Sequence, residues 1–555
     1  MRKRRTEDGL TVRGIAGSNV VLLAFDLEEA KRAGLRGFAI HRTDHTEEEA
    51  YWLQGMKTFV ETDPGLARGS RHSTRQQPIQ DFGWADYTAK PGHEYTYRVL
   101  ALEGPPADLQ PRAEVSVKVE TESPTGGTHD VHFNRGAAAS QEYARRFGNR
   151  QPGDQGGVND PAFTWLSRGA HEAMLGFIAR ATDSRFGLRA GVYEFRLPSV
   201  LDAFREAHLR GADAQILFDA GKEFPRDENR ARVAEAQLTD CCRERLPKPQ
   251  ALSHNKFIVL LENGEAKAVL TGSTNISEGG VFGQSNVVHI VDEPEVAAAY
   301  LAYWDAMRDN PHRRDLAPLL TSAHPLADGK PPEGTSCVFS PRDSLAALQY
   351  YADLAAGAED ALFMTFAFGM NDVFKMVYRD GQAPLRYALM EKLLGPGVKA
   401  EDKEAATEEM VGLRRQPENL FAVGSQISFN TFDQWLGEKL TGLNTHVKYV
   451  HTKFMLIDPL GSDPIVVTGS ANFSKASTNE NDENMLLIRG NPRVADIYLG
   501  EYMRLWDHYA FREWATRNRG TQPVTTFGHL DSSDGWWRKY FGEGPQSRRR
   551  QYFAG

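Results

Sequence analysis

Ser253-His-Asn-Lys-Phe-Ile-Val-Leu-Leu261 and Val450-His-Thr-Lys-Phe-Met-Leu-Ile-Asp458 share one pattern: a histidine and a lysine two residues apart, then an apolar run. The run reads as a buried strand. A side-chain period of two then points His254 with Lys256, and His451 with Lys453, from one face. Downstream, Gly272-Ser-Thr-Asn275 and Gly469-Ser-Ala-Asn472 close two further apolar strands. The offset is 197 residues at all three marker positions (254 to 451, 272 to 469, 275 to 472). A shared offset turns two weak H-x-K patterns into an internal duplication.

The repeat extends outward. Pro294-x-Val-Ala-x-x-Tyr-Leu301 recurs at Pro492 to Leu499, 198 residues on. Upstream, Val192-Tyr-Glu-Phe195 aligns with Phe363-Met-Thr-Phe366, and Ile216-Leu-Phe-Asp219 with Tyr387-Ala-Leu-Met390, both 171 residues on. The fall from 197 to 171 places 26 extra residues in the second copy, and the polar stretch from Lys399 to Glu409 is the expected insertion, near 395–440. Each copy alternates strands with helices, which predicts layered α/β/α units. The first 120 residues instead carry strand runs such as Asn19 to Phe25, Glu94 to Leu100 and Glu114 to Glu120, separated by Pro/Gly turns. The expected architecture is α/β: two pseudo-twofold-related units at 132–325 and 326–555, behind an all-β sandwich at 1–120 and a linker at 121–131.

Composition is that of a soluble globular protein: 555 residues, 41% apolar, 25% charged, formal charge −9. No run approaches the ~18 apolar residues of a membrane span. The basic start, Met1 to Arg5, lacks the apolar core of a secretory leader, so a cytoplasmic location is expected. Cys241, Cys242 and Cys337 fit neither a disulfide framework nor a zinc site, and no metal or cofactor is expected. The groups Arg2 to Arg5, Arg145/Arg146/Arg150 and Arg548 to Arg550 read as solvated surface or tails ahead of binding patches.

A histidine and a lysine aimed into one cleft suit a phosphoryl group: the ammonium neutralises nonbridging oxygens, while the imidazole attacks phosphorus or passes protons. Two copies supply a nucleophile on one side of phosphorus and an acid on the other. Glycine at 272 and 469 allows close backbone approach, and Ser273, Ser470, Asn275 and Asn472 can donate to phosphate oxygens. Phe195, Phe366 and Phe368, near strand ends, read as core residues ahead of base-stacking surfaces.

His-x-Lys-x4-Asp followed by Gly-Ser-x-Asn resembles the HKD motif of the phospholipase D superfamily. The second copy carries it whole, through His451, Lys453, Asp458, Gly469, Ser470 and Asn472; the first has Leu261 in place of the Asp. The resemblance covers roughly residues 130–545. It implies a metal-independent reaction through a phosphohistidine, with His254 as nucleophile and His451 as acid and base. It also implies a carboxylate eleven residues after the motif Asn that orients an imidazole: Glu483 in the second copy, with Asn286 at that place in the first. Because the second copy keeps both Asp458 and Glu483, His451 is expected to have the better-supported surroundings. The N-terminal Tyr-x-Tyr-x-Val strand resembles a fibronectin type III domain, a possible seat for a protein partner. The expected substrate is a phosphodiester. Nucleic acid is favoured over glycerophospholipid, and a catalytically inactive phosphate-binding module is the third reading. Oligomeric state is not legible.

Overall fold

The structure, a computed structural model, describes residues 1–66, 70–136, 141–148, 150–247, 251–395, 397–424, 450–517 and 529–555. The chain opens with ten strands: β1 (Arg2–Glu7), β2 (Leu10–Ala16), β3 (Val21–Leu27), β4 (Gly37–Asp44), β5 (Glu49–Trp52), β6 (Gln54–Gly55), β7 (His72–Ser73), β8 (Gly83–Asp86), β9 (Glu94–Glu103) and β10 (Gln110–Glu120). Eight of them form two sheets, β1-β2-β3-β8 and β10-β9-β4-β5. Alternation along β10 buries Ala113, Val115, Val117 and Val119 against the facing sheet. Asp86 of β8 ties the sheets together, accepting hydrogen bonds from Arg42 of β4 (3.0 Å) and Tyr97 of β9 (2.8 Å).

Two seven-stranded sheets follow. The first contains β11 (His129–Phe133), β12 (Phe186–Val192), β13 (Asp213–Asp219), β14 (Cys242–Arg245), β15 (Lys256–Glu262), β16 (Glu265–Gly272) and β17 (Val287–Val291). The second contains β18 (Gly334–Ser340), β19 (Ala361–Phe366), β20 (Leu385–Met390), β21 (Asn419–Val423), β22 (Phe454–Ile457), β23 (Ile465–Gly469) and β24 (Glu483–Arg489). Their orders are the same, β11-β17-β16-β15-β12-β13-β14 and β18-β24-β23-β22-β19-β20-β21. Helices Ala170–Ala179, Pro198–Leu209 and Glu223–Glu235 share one apolar core with the first sheet; Ala346–Ala356, Asp372–Asp380 and Lys403–Arg415 do so with the second. A further core joins the two sheets with helices Pro294–Arg308 and Pro492–Arg517, through residues such as Phe257, Tyr300, Trp304, Phe454, Tyr498 and Tyr502.

Register corrects part of the repeat alignment. Ala190 faces Ile258 and Met364 faces Met455, so β12 and β19 correspond at an offset of 174, not 171. Ile216 pairs with Ala190 and Ala388 with Met364, giving 172 for β13 and β20. Central strands covered on both faces are continuously apolar, so their sequences carry no register signal. Nor is Lys399 to Glu409 the insertion: it runs into helix Lys403–Arg415, which occupies the place of Glu223–Glu235 between successive parallel strands. Most of the extra length lies between Val423 and His451, against the short passage from Arg245 to His254; residues 425–449, part of the expected insertion, lie outside the described residues.

Two boundaries also move. Residues 129–131 belong not to a linker but to β11, which pairs antiparallel with β17. The end of the chain leaves the second unit and returns to the sandwich, where Trp536 and Tyr540 enter its core beside Phe82 and the Trp536 indole donates to the Leu35 carbonyl (2.8 Å). The terminal arginines are clamps rather than solvated tails. Arg548 pairs with Glu418, Arg549 with Asp507 and Arg550 with Asp26, while Arg2 pairs with Asp496. Arg146 pairs with Glu142, and Arg150 with the buried Asp160. The three cysteines are free, and among the described residues no helix is long and apolar enough to cross a membrane. Trp536→Ala is expected to cost about 3 kcal/mol and to lower the urea midpoint of the transition that exposes the sandwich core. An unchanged midpoint would show that the C-terminal return contributes no stability.

Candidate active site

Both H-x-K segments are built alike. The Lys256 ammonium donates to the His254 carbonyl and the Lys453 ammonium to the His451 carbonyl, each at 2.6 Å. Each segment is anchored one residue ahead of its histidine by a buried carboxylate at the end of a parallel strand. Asp219 accepts from the Ser253 backbone N–H (2.6 Å), and Glu391 from that of Val450 (3.0 Å). Sequence reasoning missed both anchors. Their common place after β13 and β20 could have been found once the register was known.

The copies then exchange strands' ends. Ser253 forms a parallel bridge with Asp482, and Ser285 forms one with Val450. Ser253 and Val450 are 197 apart, as are Ser285 and Asp482, so the two bridges are the same contact made twice, as a twofold relation requires. The residues that follow are thereby delivered across the interface. His254 Nδ1 donates to Glu483 Oε2 at 2.9 Å, and His451 Nδ1 donates to Asn286 Oδ1 at 2.9 Å. The Asn286 amide is held in that sense, its Nδ2 donating to the Gly280 carbonyl (2.8 Å) and its Oδ1 also accepting from Ser273 (2.8 Å). This corrects the expectation drawn from counting within each copy: the acid of the second copy serves the histidine of the first, so His254 has a titratable carboxyl partner and His451 a neutral amide.

The Gly-Ser-x-Asn turns lie under these contacts. A Cβ at Gly272 would sit 2.2 Å from the Val287 carbonyl oxygen, and one at Gly469 2.2 Å from that of Asn484. Neither position tolerates a side chain. Ser470 accepts from the Asn484 backbone N–H (2.9 Å). Asn275 and Asn472 follow, with buried carboxamide oxygens that have no hydrogen-bond partner. Asp458 is elsewhere. At the far end of β22 it accepts from the backbone N–H groups of Glu359, Asp360 and Ala361 (2.9, 2.7 and 2.9 Å), a turn cap. Its counterpart Leu261 is a buried core residue. Phe195 and Phe366 are core residues too, whereas Phe368 is 38% exposed.

Electrostatically the site is built for an anion. Burial, followed by Lys256 and Lys453, pushes the His254 imidazole well below its usual value; burial, followed by Lys453 and Lys256, does so for His451. Burial lowers Lys256 to about 8 against the pull of Glu483, and lowers Lys453 well below the usual ammonium range, with Lys256 next in effect. Glu483 is pushed up to about 8 by burial, with Lys256 and Lys453 opposing. Two imidazoles held toward the neutral form thus lie beside two buried amines, and a phosphate would relieve the repulsion between those amines when charged.

The family model described as "Cardiolipin synthase, PLD-like domain" matches residues 177–308 and 415–506, which include both histidine–lysine pairs and both motif asparagines. No curated protein sequence matches the chain. Among solved structures, polyphosphate kinase from Porphyromonas gingivalis is similar over 62% of this chain (9% identity, TM-score 0.39), and the chain spans about half, 48%, of that protein. Phosphatidylserine synthase from Haemophilus influenzae is similar over 64% of this chain and 84% of that one (12% identity, TM-score 0.41). For yeast tyrosyl-DNA phosphodiesterase the shares are 58% and 88% (12% identity, TM-score 0.34). Over residues 177–308 and 415–506 the chain carries a phospholipase D-like domain.

The geometry is testable without substrate. Nitrogen-15 NMR is expected to show both imidazoles as Nδ1–H tautomers that titrate below 6.5, with Asn286→Ala perturbing His451 ahead of His254. An Nε2–H tautomer at His451 would contradict the contact with Asn286 Oδ1.

Proposed function

We propose that the chain is a metal-independent nuclease that hydrolyses DNA or RNA phosphodiesters through a phosphohistidine on His254. The observation that carries this reading is the unequal support of the two imidazoles, Glu483 behind His254 and Asn286 behind His451. A carboxylate on Nδ1–H raises the nucleophilicity of Nε2 and stabilises the positive ring that forms when it bonds to phosphorus. A neutral amide offers no such charge, so protonated His451 gives up its proton readily. In the first step His254 Nε2 bonds to phosphorus, the bond to the leaving oxygen breaks, and His451 protonates that oxygen. In the second, neutral His451 takes a proton from water, the water oxygen bonds to phosphorus, and the P–N bond breaks. Lys256 and Lys453, with the amide N–H groups of Asn275 and Asn472, hold the nonbridging oxygens throughout. Ser273 and Ser470 fix the turns, with Gly272 and Gly469 beneath them.

Nucleic acid is favoured because Tyr193 packs on His254 and Arg196, three residues on, lies over the 38% exposed Phe224; these are residue types that stack on bases. The description of the matched family model, a cardiolipin synthase domain, is what favours a lipid as the second reading. The order of the two N-terminal sheets supports a fibronectin type III-like module there, proposed as a seat for a protein partner.

With EDTA present, the purified protein is expected to release product from single-stranded DNA or RNA and not from phosphatidylcholine, and His254→Ala or His451→Ala to lose roughly 10³-fold or more in rate. Product from lipid alone, or a requirement for added metal, would overturn the proposal. The pH profile is a further test. The imidazole pair must carry one proton in total; raising the pH removes it and lowering the pH adds a second. Both imidazoles are held below 6.5 and Glu483 is pushed up to about 8, so the pair loses its proton before Glu483 is fully ionised; kcat/KM is expected to peak below 8, and an optimum above 8 would contradict the assignment.

A further inference from the structure

Apart from Glu483 and Asn286, the two halves of the cleft differ at the residue that follows β12 and β19. In the first half it is Tyr193, whose ring centroid lies 4.8 Å from that of His254 at an interplanar angle of 59°, with the Lys256 ammonium 5.4 Å from the ring centroid. Its backbone is held on both sides: the N–H donates to the Asn255 carbonyl (2.9 Å), and the carbonyl accepts from the Asn229 amide (2.9 Å). The offset of 174 set by the strand register makes Ala367 its counterpart, a buried residue with no ring to offer. Tyr193 is half-buried. Three residues on, the Arg196 guanidinium lies 5.1 Å from the Phe224 ring centroid while pairing with Glu194 and Glu228.

We propose that Tyr193 is a platform on which the nucleobase of the retained nucleotide stacks, with Phe224 as a second aromatic surface further out, so that the enzyme selects single-stranded nucleic acid through the strand it keeps bound. This rests on the nuclease reading and on His254 as the nucleophile. In an in-line displacement the leaving group departs from the side of phosphorus opposite His254, toward His451. A side chain packed against His254 therefore meets the substituent that stays on phosphorus, while the small Ala367 leaves space on the departing side. An unpaired base presents a free face to such a ring, whereas a base inside a duplex is already stacked on both faces. Tyr193 touches the retained group and takes no part in proton transfer; it is a specificity-determining residue.

Two synthetic diesters with the same p-nitrophenolate leaving group test the proposal in EDTA: thymidine 5′-(p-nitrophenyl phosphate) and methyl p-nitrophenyl phosphate, which differ only in the group retained. The wild-type protein is expected to prefer the thymidine ester in kcat/KM. Tyr193→Ala is expected to reduce the ratio of the two by roughly 5- to 100-fold, largely through KM, and Tyr193→Phe to keep it. A ratio unchanged in Tyr193→Ala overturns the platform and leaves the nuclease reading standing, as does an equal fall on both esters, which would mean that the ring only props His254. Failure of the wild type to cleave either ester, alongside cleavage of phosphatidylcholine vesicles, overturns both.

Discussion

The site depends on one contact made twice, the parallel bridges of Ser253 with Asp482 and of Ser285 with Val450. Each brings the segment before a catalytic-type histidine of one copy against the segment that begins the last strand of the other. Neither copy holds a complete imidazole environment by itself: the partner of His254 Nδ1 is 229 residues away in sequence, and that of His451 165. Duplication alone would give two half-sites. The exchange makes them one, and the substitution of Asn286 for a carboxylate makes the two imidazoles chemically unlike.

Several buried polar groups hold that exchange in place. Arg245, fully buried, binds Asp482 through Nε at 2.9 Å, and its second nitrogen reaches Asn310 and the Pro311 carbonyl. Such a pair gains little in net stability, because desolvation offsets the attraction, but losing one partner strands the other charge and costs about 3–5 kcal/mol. Tyr300 donates to Asn484 (3.0 Å) and Tyr303 to the Ser340 carbonyl (2.7 Å), so the first long interior helix also reaches into the second copy. The amines Lys256 and Lys453 are the remaining tension. Burial depresses both and Lys256 adds to the effect on Lys453, with Glu483 opposing at each; an entering phosphate anion would supply further compensating charge.

The duplication, the histidine–lysine pairs and the glycines were legible in sequence, because each is local: a period of two, a strand end, a backbone approach with no room for Cβ. The position of Glu483 was legible too, but not its destination, since spacing along the chain says nothing about which imidazole a carboxylate meets across an interface. The 171-residue alignment failed at β12 and β19 because apolar strands such as Ala361 to Phe366 fit several registers equally well. Asp219 and Glu391 went unnoticed as lone acids at strand ends, and only the paired structure shows that both cap the backbone ahead of a histidine. Arg548, Arg549 and Arg550 read as a basic tail because their partners, Glu418, Asp507 and Asp26, are scattered over the second unit and the sandwich.

The central claim is that the carboxylate delivered from the second copy makes His254, not His451, the atom donor to phosphorus. Trapping the covalent intermediate tests it most directly: rapid alkaline quench of the protein during turnover, followed by peptide mass spectrometry, locates the phosphoryl group. The account predicts the adduct on His254, lost when Glu483 is replaced by Ala and accumulating in His451→Ala with a substrate whose leaving group needs no acid. A phosphoryl group found on His451 in the unmodified protein would contradict it.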